Sequence, residues 1–365
     1  MHALKTSKTL FFLLALAIAL DLGAQSKKKK KKDTADEVTQ TLPVLRDPPP
    51  AVSAETGKLV FHVSPLSAKG LLSQQVRDAL KALFQENHGA AIVKLRAFVA
   101  GSGDLRRVQQ LVSEVFTDRK LNLPALSTIQ VGALPVEGAQ VVIESIAVER
   151  RTVNPDGLAF FSGQQTKDVR QSVAQLVTAV KSANVKDVLR ATCFLSSLDD
   201  LSAARSALSS AFPAAALNYA QLQRDATDPL AECEAIGRLS SAPATAVSLM
   251  NPPQLTANPN YSQIALVNAP QIVLTGTQMA FGEQESDIRL AFERLQRALE
   301  PMGVSYKDVF WSSTYPLTRA AIDQVRAVRF QFLDRAHPPA STLLLFEGLP
   351  SLDARVAIEV IAAAR

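Results

Sequence analysis

The chain has 365 residues, of which 47% are hydrophobic and 20% charged. This composition is globular and excludes a disordered chain, and the length suits two or three domains. The net charge is +5, but residues 1–32 hold eight lysines and one aspartate, so residues 33–365 carry −2. A nearly neutral body gives no support for nucleic-acid binding by the domains, and no such partner is expected.

Residues 1–24 have the pattern of a secretory signal. Lys5 and Lys8 give a positive start, Thr9–Leu20 is a short apolar run, and small residues end the segment at Ala24. The run is shorter than the roughly 20 apolar residues that span a bilayer, although an uncleaved membrane anchor is the alternative. The pattern predicts an exported protein, periplasmic or extracellular, with cleavage after Ala24.

Residues 25–56 are predicted to form a disordered tether. Six consecutive lysines, Lys27–Lys32, repel one another, and Pro48-Pro49-Pro50 stiffens the end of the segment. Such a lysine block suits an anionic surface, such as a membrane face or a cell-envelope polymer. A linker with no specific partner explains the block equally well.

Three similar pentamers organise the rest of the chain. They read Ile143-Glu144-Ser145-Ile146-Ala147, Cys233-Glu234-Ala235-Ile236-Gly237 and Ile358-Glu359-Val360-Ile361-Ala362. Each alternates apolar residues with a carboxylate on the opposite face, as a half-buried strand does, and each closes the order strand, helix, strand, helix, strand, strand. The repetition predicts three domains, at residues 57–150, 151–240 and 259–365, with a linker at 241–258.

The repeated order predicts the α+β class, with two helices on one face of a mixed sheet in each domain. Asp104 and Thr318 are predicted helix caps, since each precedes apolar residues at helical spacing. Cys193 and Cys233 fall on the apolar faces of two predicted strands. They are expected to be buried free thiols, with a disulfide as the alternative in an oxidising compartment.

Further motifs resemble the Rid/YjgF family of enamine and imine deaminases. Pro259-Asn260-Tyr261-Ser262-Gln263 is similar to the family's opening Pro-Tyr-Ser-Gln, and Ser162-Gly163-Gln164 and Gly276-Thr277-Gln278 are similar to its Ser-Gly-Gln. The pentamers resemble the family's terminal strand, so the signals cover roughly residues 58–365. The resemblance implies chorismate-mutase-like domains with clefts between neighbours, as in the homotrimeric family. In one chain they would form a compact monomeric pseudo-trimer rather than beads on a string.

The resemblance also implies a chemistry, the hydrolysis of 2-imino or 2-enamino acids to 2-keto acids and ammonia. In the family an arginine two residues after a proline grips the substrate carboxylate. The matching positions here hold Leu126, Ala215 and Ser341, so no repeat keeps the arginine, and Arg224 or Arg355 would have to replace it. Its loss would weaken carboxylate binding by roughly 2–5 kcal/mol.

The remaining site residues are assigned by the same resemblance. Glu144, Glu234 and Glu359 match the family's cleft glutamate and are general-base candidates. The alternative is that they are strand residues that face solvent or pair with a neighbouring repeat. The predicted ligand-binding residues are Tyr261, Ser341 and Gly276. Tyr261 matches the tyrosine that closes the family's cleft, although packing at a domain boundary is an equal alternative.

The missing arginine leads to the functional hypothesis. The chain is expected to be an exported binding or interaction scaffold with weakened or lost deaminase chemistry, able to take a small 2-imino or 2-keto acid. A working deaminase at the cleft lined by domain 3 is the second hypothesis. RNA cleavage is a third, which the neutral body and the predicted export disfavour. The four histidines show no metal-ligand spacing, so neither a metal nor a cofactor is expected.

Overall fold

Three modules follow one another with the same succession of elements. The computed structural model describes residues 45–101, 103–224 and 228–364; the predicted signal and the lysine block lie outside them. The first module comprises β1 (Ala51–Glu55), β2 (Leu59–Val63), α1 (Leu72–Glu86), β3 (Ala91–Ala100), α2 (Leu105–Asp118), β4 (Ala125–Val131) and β5 (Val141–Val148).

The second and third modules repeat this order. The second comprises β6 (Leu158–Thr166), α3 (Val169–Ser182), β7 (Val185–Leu195), α4 (Leu201–Ala211), β8 (Ala216–Gln221) and β9 (Ala231–Leu239), with β10 (Val247–Met250) after it. The third comprises β11 (Ile264–Val267), β12 (Gln271–Thr275), β13 (Gln278–Phe281), α5 (Glu285–Leu299), β14 (Val309–Pro316), α6 (Arg319–Arg329), β15 (Ala340–Leu343) and β16 (Ala354–Ala364).

Helices α2 and α6 each begin directly after a residue whose side chain caps the first turn. The Asp104 carboxylate accepts a hydrogen bond from the backbone N–H of Arg106 at 3.0 Å, and the Thr318 hydroxyl accepts one from that of Ala321 at 3.1 Å. Both predicted caps are therefore confirmed, and each satisfies a backbone donor that the first helical turn leaves free. In the part of the chain that the structure describes, no helix is both long and apolar enough to cross a membrane.

Each module is a mixed sheet with two helices on one face. The strand orders are β2-β5-β3-β4, β6-β9-β7-β8 and β12-β16-β14-β15, and β13 also pairs with β16. In each module only the last pair of that order is parallel. Separate apolar cores lie between each sheet and its own two helices. The predicted α+β class is thus confirmed.

Two strands pair outside the module that they precede. β1 joins the third sheet, where Ala51 lies opposite Thr275 of β12. β11 joins the second sheet, where Ile264 lies opposite Phe161 of β6, and β10 extends that sheet. Residues 51–55 are therefore a strand at the end of the predicted tether. The alternation of a segment predicts a strand but carries no information about which sheet edge it joins.

The inner faces of the three sheets meet around a common centre. Phe98, Phe194 and Phe346 supply one aromatic ring per module, with ring centroids 5.6–6.4 Å apart. A second apolar cluster also draws on all three modules and includes the pair Phe160 and Phe310, whose rings lie 5.0 Å apart. The modules belong to one compact unit, which confirms the pseudo-trimer arrangement within one chain.

The two cysteines form a disulfide, so the expectation of free thiols is wrong. Cys193 of β7 and Cys233 of β9 lie directly opposite one another in antiparallel register. Both side chains are fully buried on the helix side of the second sheet. The apolar alternation predicted the face on which each cysteine lies, but the register that brings them opposite depends on the pairing of strands 40 residues apart.

Candidate functional site

A buried cluster of six charged side chains occupies the centre of the molecule. All six project from the inner faces of the sheets and are no more than 8% exposed. The cations are Lys94, Arg96 and Arg190, and the anions are Glu144, Glu234 and Glu359. The predicted glutamates therefore lie in the centre and not in clefts, because the strand face that carries them is the one that meets the other modules.

Ion pairs join the modules across this centre. The guanidinium of Arg96 lies 2.6 Å from the Glu144 carboxylate and 2.5 Å from that of Glu234. The Lys94 ammonium lies 2.5 Å from the Glu359 carboxylate. Burial alone would raise the pKa of Glu144, but the charges of Arg190 and Arg96 outweigh it and hold this pKa at about 2.

Hydroxyl and amide groups also donate hydrogen bonds to the three carboxylates, and each carboxylate accepts from the next module in a cyclic order. Glu144 of the first module accepts from Thr192 and Asn218 of the second, at 2.5 and 2.8 Å. Glu234 of the second accepts from Thr342 of the third at 2.6 Å. Glu359 of the third accepts from Ser127 of the first, and also from Tyr315 of its own module. Every carboxylate oxygen therefore has a partner.

The central cluster has little room for a ligand. The cavity that it lines has a volume of about 40 Å³, which accommodates water but no metabolite. The positive and negative charges are equal in number, so the cluster needs no further ion. These side chains join the modules, while the catalytic role assigned to the three glutamates by resemblance stays a prediction.

A separate cleft lies between the second and third modules and contains two predicted ligand-binding residues. Its volume is about 70 Å³. Its lining residues are Gly163, Gln165, Glu232, Asn258, Asn260, Tyr261, Arg326, Arg329, Ser341 and Leu343. We refer to it as the Arg329 cleft. The structure thus brings Tyr261 and Ser341 together with a guanidinium that the sequence did not indicate.

Arg329 is a buried cation that forms no ion pair with a carboxylate of the described residues. It is the last residue of α6 and is 3% exposed. Its Nε and Nη2 atoms are buried and have no hydrogen-bond partner among the described residues. Burial, with a smaller contribution from the charge of Arg326, lowers the pKa of the Arg329 guanidinium to about 10. Two N–H groups of one guanidinium form the fork that a carboxylate accepts.

Glu232 supplies a carboxyl group to the same cleft. It is buried, and burial together with the charge of Glu234 raises its pKa well above the usual value. Gly163 makes space for it, since a Cβ atom at that position would lie 1.8 Å from a Glu232 oxygen. Burial, then the charge of Glu232, also raises the pKa of Tyr261 to about 12. A carboxyl group with a raised pKa keeps its proton to a higher pH than usual and can then act as a proton donor.

The third predicted ligand-binding residue, Gly276, lies in another cleft. That cleft, of about 180 Å³, lies between the third and first modules and is lined without a charged side chain among the described residues. The Gly276 N–H donates to the Pro50 carbonyl at 2.9 Å, and Leu126 lies alongside. Pro48, Pro49 and Pro50 also line this cleft.

Sequence reasoning missed Glu232 and Arg329. One signal for Glu232 was available. It lies two residues before Glu234 and so shares its strand face, whereas the first and third repeats carry Val142 and Ala357 at the matching position. Arg329 gave no signal, because it comes from a helix and its approach to the cleft depends on how the modules meet. The suggested replacement Arg355 is exposed.

Comparisons with known proteins agree with the motifs. Residues 51–149 match the family model described as Endoribonuclease L-PSP. The Rid-family protein YyfB from Yersinia pestis is a similar solved structure, with 17% identity, 33% of this chain and 100% of that chain covered, and a TM-score of 0.31. A YjgF/YER057c/UK114 family member from Mycobacterium tuberculosis shows 18% identity, 32% and 99% coverage and a TM-score of 0.24. No curated protein sequence matches the chain.

The repeated fold and the family match together define the class of protein. Residues 51–149 form the module that matches the Endoribonuclease L-PSP family model. The strand order and helix placement of this module recur twice more along the chain. The chain is therefore a tandem arrangement of three modules of one fold, the first of which matches this family model.

Proposed function

We propose that the protein binds a small carboxylic acid in the Arg329 cleft, through the two free N–H groups of Arg329. The Ser341 position, where the resemblance expects the substrate-gripping arginine, lines this same cleft. Strand β15 carries Ser341 where the resemblance expects an arginine, and Arg329 of helix α6 places a guanidinium at the same cleft. A small 2-keto or 2-imino acid is the ligand class that this proposal names.

The observation that carries this proposal is that the Arg329 guanidinium is buried and that its Nε and Nη2 groups have no hydrogen-bond partner among the described residues. A buried ion without a partner loses its hydration at a cost of several kcal/mol. Folded proteins rarely keep such a group unless water, an ion or a ligand pairs with it. Because both atoms are buried, the guanidinium must turn towards the cleft for a carboxylate to satisfy both donors at once.

Titration calorimetry with 2-oxobutyrate tests the proposal. Arg329→Met keeps much of the side-chain volume and removes the charge, and it is expected to weaken binding at least about 30-fold. Arg297→Met, at an exposed position on α5, is the matched control and should leave the Kd unchanged. Equal affinity of the wild type and Arg329→Met for 2-oxobutyrate would contradict the proposal.

A second candidate function is hydrolysis of the imino acid itself, and the raised pKa of Glu232 favours it. A neutral Glu232 can donate its proton to an imine nitrogen, which makes C2 electrophilic. The resulting carboxylate then takes a proton from the attacking water. Collapse of the adduct releases ammonia and the 2-keto acid.

Release of 2-keto acid from freshly generated imino acids distinguishes this function from binding alone. Glu232→Gln should abolish turnover yet retain 2-oxobutyrate binding, while Glu300→Gln on the surface should change neither. Turnover that survives in Glu232→Gln would rule out this role of Glu232. Absence of turnover in the wild type, with binding intact, would leave the binding function alone.

The protein is further proposed to be exported and held near an anionic surface by Lys27–Lys32. The Cys193–Cys233 disulfide supports export, since such bonds persist in oxidising compartments. Sedimentation with vesicles containing anionic lipid should be lost in high salt and on deletion of residues 27–32. Salt-independent sedimentation would contradict attachment through the lysine block.

Ribonuclease action, which the family description names, is the least favoured function. The −2 charge of residues 33–365 offers little attraction for phosphates. Ribonuclease activity retained after removal of residues 25–32 would nevertheless support it.

A further inference from the structure

Two arginines of helix α6 share the Arg329 cleft. Arg326 and Arg329 both belong to the last turn of α6, and both line the cleft. Residues three positions apart on a helix lie on one face, with Cβ atoms about 5–6 Å apart. The charge of Arg326 also reaches Arg329, where it adds to the effect of burial in lowering the pKa of that guanidinium. The cleft therefore holds two neighbouring cations.

The cleft has at most one carboxylate to set against these two cations. Among the described residues that line it, Glu232 is the one acidic side chain. Burial, and then the charge of Glu234, raises the pKa of Glu232. Even when Glu232 is ionised, one positive charge has no counterpart in the lining, and when the carboxyl group keeps its proton there are two. A ligand with two negative charges would balance both arginines.

The neighbouring Asp323 leaves Arg326 available to a ligand. The carboxylate of Asp323 lies 3.6 Å from the Arg326 guanidinium, which is longer than a hydrogen bond. The two side chains are 77% and 54% exposed, respectively. An exposed pair of this kind contributes little free energy, because water screens both charges. A ligand carboxylate can therefore pair with Arg326.

The rest of the lining is polar and the cleft is small. Its uncharged polar side chains are Gln165, Asn258, Asn260, Tyr261 and Ser341, and Leu343 is the one apolar side chain among the described lining residues. The volume of about 70 Å³ is enough for a few water-sized groups. These properties suit a compact molecule with several hydrogen-bonding groups.

We propose that the ligand of the Arg329 cleft is a small dicarboxylic acid of the 2-keto or 2-imino type, and that Arg326 is the residue that selects it. One carboxylate pairs with Arg329 and the second with Arg326. The amide groups of the lining can donate hydrogen bonds to the 2-oxo oxygen. This inference rests on the proposed function and adds the second charged group of the ligand.

Titration calorimetry with a matched pair of acids tests the inference on the full protein. The pair is 2-oxobutyrate and freshly dissolved oxaloacetate, which differ only in a terminal methyl or carboxylate group. Oxaloacetate should bind about tenfold more tightly, because its second carboxylate gains charge-assisted hydrogen bonds from Arg326. Arg326→Met should reduce this preference to about twofold or less. Arg297→Met, at an exposed position on α5, is the matched control and should keep the full preference.

The outcomes separate this inference from the proposed function. Binding of 2-oxobutyrate that is lost in Arg329→Met, with an equal Kd for oxaloacetate, would overturn the dicarboxylic ligand and leave the carboxylate site standing. A preference for oxaloacetate that persists in Arg326→Met would overturn the role of Arg326. Inorganic phosphate that binds more tightly than oxaloacetate, and only when Arg326 is present, would overturn the dicarboxylic acid in favour of a phosphate. Failure of both acids to bind would overturn both proposals.

Discussion

The guanidinium of Arg96 in the first module lies 2.5 Å from the carboxylate of Glu234 in the second. The same guanidinium pairs with Glu144, so one buried cation links two anions across a module boundary. In a protein built from three tandem modules, such pairs determine how the modules meet.

Removing Arg96 should therefore be costly. Arg96→Met leaves two buried carboxylates with less compensation, and the free energy of unfolding should fall by about 3–5 kcal/mol. Urea denaturation measures the change. Arg297→Met, at the surface, should stay within about 0.5 kcal/mol of the wild type. An equally small effect for Arg96→Met would mean that the central pairs do not stabilise the fold.

Acid should destabilise the protein through Glu144. Its pKa falls from an ordinary 4.5 to about 2 on folding, so its contribution is present above pH 4.5 and is lost as the pH falls towards 2. The loss is about 3 kcal/mol. The free energy of unfolding measured between pH 6 and pH 2 should show it. Glu144→Gln should flatten this part of the profile, and an unchanged slope in that variant would contradict the assignment.

Glu232 should have the opposite pH dependence. Its pKa is raised on folding, so its contribution is fully present below the ordinary carboxyl pKa and is lost as the pH rises through the folded value. Glu232→Gln should therefore raise the Tm at pH 8 more than at pH 4. Calorimetric scans at both pH values test this. A Tm increment that does not depend on pH would contradict the raised pKa.

The Arg329 guanidinium should lower the free energy of unfolding although it supports carboxylate binding. Because its buried guanidinium has unpaired N–H groups, Arg329→Met should raise the free energy of unfolding although it removes carboxylate binding. Urea denaturation without ligand measures the first effect. Strong destabilisation by Arg329→Met would indicate a structural role for the guanidinium.

The Cys193–Cys233 disulfide should stabilise the second module. It closes a loop with a sequence separation of 40 residues, for which restriction of the unfolded chain gives about 4 kcal/mol. Denaturation with and without reductant measures this difference. The double variant Cys193→Ala/Cys233→Ala is the control and should not respond to reductant. A wild type that is equally stable when reduced would contradict the prediction.

Local sequence patterns were sufficient to predict the modules and their helices and strands. The alternation around Glu144, Glu234 and Glu359 predicted three equivalent strands, and Asp104 and Thr318 were read correctly as helix caps. These features depend on residues within a few positions of one another, where backbone geometry determines which side chains share a face. The same alternation placed Cys193 and Cys233 on an apolar face.

Which distant segments contact one another could be determined only from the tertiary structure. The sequence by itself determined three repeated modules and the side of each strand on which its carboxylate lies. Only the folded molecule decided that these carboxylates meet cations at a common centre, that β1 completes the third sheet, and that Arg329 enters a cleft with Glu232. The physical reason is that register and module packing are chosen by summed burial and charge pairing across the whole molecule, and no single segment contains that sum.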